Sequence, residues 1–206
     1  MSDDTKSKPI ASPIASPIAS PIASPIASPI ASKWNARYAY PNKPERTPAD
    51  VLLKGAAFLP KSGVAIDIAC GLGGNALYLA ENGFTVFAWD ISPTAIDSIQ
   101  HPNVTAAVRD VIKLPPEPDS VDVIVVSRFL DRNLCAHLSD ALRPNGVVFY
   151  QTFTAGLSNP DYILEQNELP TLFASLTPCY TYESSVNERG FSEAQFIGRK
   201  DQKLIP

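Results

Sequence analysis

The chain has 206 residues, 45% of them hydrophobic and 18% charged, with a formal net charge of -4. That composition fits a globular protein with room for one sizeable core, and the acidic balance lacks the basic footprint of a general phosphate-backbone binder, so a small molecule is expected as partner and nucleic acid is not. No apolar run reaches the length of a membrane-crossing helix, and Cys70, Cys135 and Cys179 show neither CxxC nor His-paired spacing, which predicts reduced thiols, a cytoplasmic location, no membrane partner and no metal centre.

The chain starts with MSDDTKSK and six unbroken PIAS units from Pro9 to Ser32. Proline at every fourth position removes backbone donors and pushes the preceding residue out of the helical region, so residues 1–32 are expected to be a disordered low-complexity tail without helix or central strand. The same prolines, with Asp3 and Asp4, argue against a signal peptide. A single catalytic domain is expected over residues 33–206. It opens with KWNARYAYPNKPERTP and a helix-like ADVLLKGAAFLP.

Short apolar runs then alternate with helical patterns. VAIDIA, FTVFAWD, VTAAV, VDVIVVS and VVFYQTF read as five strands, while GLGGNALYLAENG, SPTAIDSIQ and DRNLCAHLSDAL read as helices, the last ended by RPNG. Strict alternation predicts a parallel sheet covered by helices on both faces. DYILEQNELPTLFASL reads as a further helix, and CYTYESSV and AQFIGRK as two strands joined by NERGFSE. That hairpin must pair antiparallel, which makes the sheet mixed at one edge.

Ligands of open α/β sheets bind beyond the carboxyl ends of the strands, and DIACGLGGN, residues 67–75, occupies such an end. Gly71, Gly73 and Gly74 permit positive φ and a close backbone approach. Asp90 ends the second strand, where a carboxylate accepts hydrogen bonds from a ribose diol; Asp110, after the third, is placed to accept from an adenine amino group. The run from Gly71 to Ala76 also satisfies the dinucleotide pattern G-x-G-x-x-G/A. Against a dinucleotide stand the Asp67 carboxylate, which would repel a pyrophosphate, the lack of a Tyr-x-x-x-Lys pair, and the closing hairpin. An NAD(P)-dependent reductase and a non-catalytic cofactor-binding or docking protein remain as alternatives.

DIACGLGGNALYLAENGFTVFAWDIS resembles motif I through the acidic loop of class I S-adenosylmethionine-dependent methyltransferases, most closely their tellurite-resistance (TehB-like) branch, with support from KWNARY, VDVIVVS and LRPNGVVFYQTF. The likeness covers roughly residues 33–200. It implies a three-layer Rossmann-like fold, with a mostly parallel seven-stranded sheet and an antiparallel C-terminal hairpin strand. It also implies S-adenosyl-L-methionine as cofactor, S-adenosyl-L-homocysteine as product, and methyl transfer to a small acceptor such as a metalloid oxyanion or thiol. By the resemblance, Asp67, Ala69, Gly71 and Gly73 line the methionine portion, Asp90 holds the ribose, Ile91 packs on the adenine and Asp110 meets its edge. Cys70, Asn75, Val111 and Ser127 complete the wall, and Arg37, in a segment with Trp34 and Tyr38 that covers the cofactor, pairs with the methionine carboxylate. Ala69 stands where the family usually has glycine, and SRFLDR where many relatives have tyrosine or histidine. Ser127, Arg128 and Phe129 end the fourth strand, where the methyl group should face its acceptor. A soft nucleophile needs no base; for a hydroxyl or amine the candidates are Asp131, His137 and Tyr150. The catalytic residue is thus left open among Arg128, Asp131 and Tyr150, and the acceptor and oligomeric state are not legible.

Overall fold

A computed structural model of the chain describes residues 28–39 and 44–202. Among these, seven strands form one sheet: β1 (Val64–Ile68), β2 (Thr85–Asp90), β3 (Val104–Val108), β4 (Val121–Ser127), β5 (Leu142–Ala155), β6 (Thr177–Glu183) and β7 (Ser192–Arg199). Their order across the sheet is β3-β2-β1-β4-β5-β7-β6. β1 to β5 run parallel, and β7 lies antiparallel between β5 and β6, as the hairpin predicts. The helices are α1 (Pro29–Tyr38), α2 (Asp50–Lys54), α3 (Gly74–Glu81), α4 (Pro93–Ile96), α5 (Leu134–Ala141) and α6 (Glu168–Leu172).

All five residues of β1 are buried, because both sheet faces are covered. Alternation sends Ile66, Ile68 and Val126 into a core with Leu134 and Leu138 of α5 and Leu169 of α6. Ala65, Val86 and Ala88 point the other way, to Val51 and Leu52 of α2 and Ala76 and Leu79 of α3. The result is a three-layer α/β architecture. Each fully buried Ile, Val or Leu contributes roughly 1.5–3 kcal/mol, so the centre of the sheet fixes the strand ends around which the site is built. No helix among the described residues is long and apolar enough to cross a membrane.

Three details differ from the sequence reading. The last PIAS unit is helical: Pro29 takes the first position of α1, where a missing N–H costs nothing, and Ser28 caps it by accepting from Ala31 N–H at 3.1 Å. The tail before Ser28 lies outside the described residues. RPNG does not precede β5 as a plain loop. Leu142 already pairs with Val121, and a bulge with Asn145 at φ 67 carries the strand to the Val123–Val147 pair. Residues 161–176 yield only a 3-10 turn and the short α6, since Pro170 is tolerated only within a first turn and Asn167 before it is left-handed, at φ 57.

Candidate functional site

The turn from β1 into α3 is made by alternate left-handed residues: Ala69 at φ 52, Gly71 at φ 52 and Gly73 at φ 80. Asp67 shares a sheet face with Ala65, so its side chain projects toward α3. There its carboxylate accepts from Asn75 Nδ2 at 3.2 Å and from the Ala76 N–H at 3.1 Å. Asn75 reaches onward, its Oδ1 accepting the Ala49 N–H at 2.8 Å. Asp67 is fully buried, and burial raises its carboxyl to about 7. In place of the lining role implied for Asp67, the structure gives it a bracing one behind the loop, and Gly73 packs on Ile99 rather than in the cavity wall.

In front of the loop lies a cavity of about 580 Å³. Ala69, Cys70, Gly71 and Asn75 contribute to its wall from the loop, Asp90 and Ile91 from the end of β2, Asp110 and Val111 from beyond β3, and Ser127 and Arg128 from β4. The Asp90 carboxylate accepts from Gly71 N–H and Ser92 N–H, both at 2.8 Å. It is therefore aimed at the cavity by two backbone donors, while burial raises its pKa against the pull of these bonds. Asp110 carries an ion pair with Lys113 at 3.3 Å.

Helix α1 closes one side. Trp34, Arg37 and Tyr38 line the cavity, and a Cβ at Gly71 would fall 2.9 Å from the Tyr38 hydroxyl oxygen, so glycine is needed for the approach as well as for the turn. Trp34 and Tyr38 stack at 5.8 Å. The helix is fixed by Asn35, whose Oδ1 accepts from Ser92 Oγ at 2.5 Å and Thr94 N–H at 3.3 Å.

Two of the three catalytic candidates lie outside the cavity wall. Asp131 is engaged at the start of α5, where its carboxylate accepts the Leu134 N–H at 2.9 Å. Tyr150 is buried and donates its hydroxyl to the Phe129 carbonyl at 2.9 Å, and burial raises its pKa far above the usual value. His137 is exposed on α5. Arg128 does line the cavity. Burial, with the charges of Asp67 and Asp90, pushes the Cys70 pKa up, against the thiolate that a nucleophile needs. All three cysteines are free, and among the described residues no cluster of His, Cys, Asp and Glu is arranged for a metal.

Sequence reasoning passed over Arg109. Its guanidinium lies 3.8 Å over the Trp89 ring and donates to the Leu114 carbonyl at 2.7 Å and the Pro115 carbonyl at 3.0 Å. It thereby ties the β3–β4 connection to the cavity wall; Trp89 and a following VRD were its only signals. Also passed over was the link from Gln151 to Glu193, which depends on the pairing of β5 with β7.

A family model described as a methyltransferase domain matches residues 40–192, and no curated protein matches the chain. Among solved structures, one described as "Conversion of a Disulfide Bond into a Thioacetal Group during Echinomycin Biosynthesis" is 21% identical, with a TM-score of 0.64, over 84% of this chain and 92% of that one. TehB from Haemophilus influenzae is 20% identical, with a TM-score of 0.62, over 74% of this chain and 62% of that one. Phosphoethanolamine N-methyltransferase 2 from Haemonchus contortus, in complex with phosphomonomethylethanolamine and S-adenosylhomocysteine, is 16% identical, with a TM-score of 0.64, over 83% of this chain and 57% of that one. The chain thus spans less than two thirds of the latter two, and at these identities the likeness is one of fold. The family match covers well over half of the sequence, and the chain belongs to the methyltransferase-domain family.

Proposed function

We propose that the protein is an S-adenosylmethionine-dependent methyltransferase acting on a small-molecule acceptor. The observation that carries this reading is the convergence of three successive strand ends, with the loop at 69–71, Asp90 and Asp110, on one cavity under Tyr38. The Asp90 carboxylate is oriented by Gly71 and Ser92 toward a ribose, Asp110 and Val111 stand on the adenine side, and Ser127 and Arg128 stand on the acceptor side. Arg37 has the charge to pair with the methionine carboxylate. S-adenosylmethionine supplies an activated sulfonium methyl group; the chain's part is to bind it, exclude water and position the acceptor, an effect worth roughly 7–11 kcal/mol in favourable systems.

The α3 N-terminus supports this guest over a dinucleotide. A pyrophosphate would sit on the first amides of that helix, but Asp67 already accepts from Ala76. A Cβ at Gly74 would lie 2.4 Å from the Thr47 carbonyl oxygen, so backbone occupies the space beside the turn. The TehB-like branch is supported by the motif I resemblance, whereas fold similarity is equal for other branches, so the acceptor is not assigned by it. A cytoplasmic location and the domain limits 33–206 are part of the same proposal, the latter extended to Pro29 by α1. Calorimetric titration with S-adenosylhomocysteine and with NAD tests the reading: binding of the former is expected, and binding of NAD alone overturns it.

A further inference from the structure

The cavity wall carries both signs of charge, and Arg37, Arg46, Arg109 and Lys113 line it as well as Arg128. Asp90 and Asp110 follow β2 and β3, whereas Arg128 follows β4 in a wall that also holds Phe129 and Phe153. Arg128 is left-handed, at φ 55, a conformation that non-glycine residues keep where the surroundings impose it and that clusters at functional sites. Here its N–H donates to the Gln151 carbonyl at 2.8 Å, and its Nε donates to Glu193 Oε1 at 3.1 Å. The second Glu193 oxygen accepts from Gln151 Nε2, and Gln151 Oε1 accepts the Val51 N–H at 2.9 Å. The guanidinium is thus braced from behind through one nitrogen. Among the described residues its two terminal nitrogens have no protein partner, and its side chain is 65% exposed.

A guanidinium edge with two free N–H groups matches a planar carboxylate in a paired arrangement. Glu193 offsets the charge but leaves that edge open. Phe129 and Phe153 add apolar surface, and Phe153 is braced by Phe191 at 5.8 Å. An inorganic oxyanion would leave these rings without a contact; an organic acid uses both features. We infer that Arg128 is a specificity-determining residue that binds the carboxylate of a small organic acid, whose apolar body rests on Phe129 and Phe153. That this acid is the methyl acceptor rests on the methyltransferase reading. The contact is one of recognition: arginine stays charged and takes no proton, no bond changes at the bound carboxylate, and the methylated atom lies elsewhere on the acceptor.

The test is an NMR titration of the full chain with benzoate and with benzamide, with and without S-adenosylhomocysteine. Benzoate is expected to bind at least tenfold more tightly. Arg128→Gly, which suits the left-handed backbone and so preserves folding, should abolish the preference, and Arg128→Lys should restore part of it. Equal binding of the two probes, or a preference that survives Arg128→Gly, overturns the inference. Because the titration without nucleoside does not depend on the cofactor, a chain that ignores S-adenosylhomocysteine but shows an Arg128-dependent preference for benzoate upholds the anion site and overturns only the methyltransferase reading.

Discussion

The Asp67 carboxylate accepts the Ala76 N–H at 3.1 Å, so the first turn of α3 is satisfied by a side chain from β1. Strand and helix are thereby locked across the glycine loop. This bond and its partner from Asn75 operate in a fully buried setting, where desolvation outweighs them and lifts the Asp67 carboxyl to about 7.

A pH dependence of stability follows. Between about 4, where an unfolded aspartate loses its proton, and about 7, the folded chain retains a proton that the unfolded chain has released. The Asp67 contribution is therefore fully present below about 4 and is lost as pH rises through about 7. Asp90, raised for the same reason, adds a slope of the same sign. Denaturant titrations at pH 5 and pH 8 should show a smaller stability difference in Asp67→Asn than in the wild type; identical differences would contradict the assignment.

Gly74→Ala is expected to destabilise the fold by roughly 1–3 kcal/mol, the usual cost of overpacking. The added methyl would meet a backbone carbonyl, that of Thr47, which cannot rotate away. Thermal denaturation checks this, and an unchanged melting temperature would mean that the 44–49 segment yields freely.

Asn35→Ala should weaken S-adenosylhomocysteine binding severalfold. It removes the acceptor that ties α1 to Ser92 and Thr94 and thereby loosens Tyr38 over Gly71. Calorimetry with the variant would show the loss; wild-type affinity would indicate that α1 is held by packing alone.

Asp131→Ala should cost about 1 kcal/mol of stability, the ordinary net cost of losing one hydrogen bond, with S-adenosylhomocysteine affinity within twofold of wild type. A large loss of affinity without a loss of stability would place Asp131 in the site after all.

Much of the fold was legible because its strands are short, apolar and separated by turn residues, as in VAIDI and VDVIVVS, and because the hairpin after residue 176 leaves only antiparallel pairing. The placement of the loop and of Asp90 at strand ends was legible for the same reason. Orientation was not. The sequence does not say whether a carboxylate in β1 faces the cavity or the helix behind it, and Asp67 proved to face α3. Nor does it reveal contacts made by strand pairing, such as Gln151 with Glu193, or that a proline-rich repeat supplies the first turn of α1 once Pro29 falls at a helix start.

The central claim rests on Asp90 and is tested most directly by calorimetry with S-adenosylhomocysteine on the wild type and on Asp90→Ala. The account predicts stoichiometric binding by the wild type and at least tenfold weaker binding by the variant, a difference of about 1.4 kcal/mol or more. Equal affinity of the two proteins, or binding of NAD in place of S-adenosylhomocysteine, would contradict it.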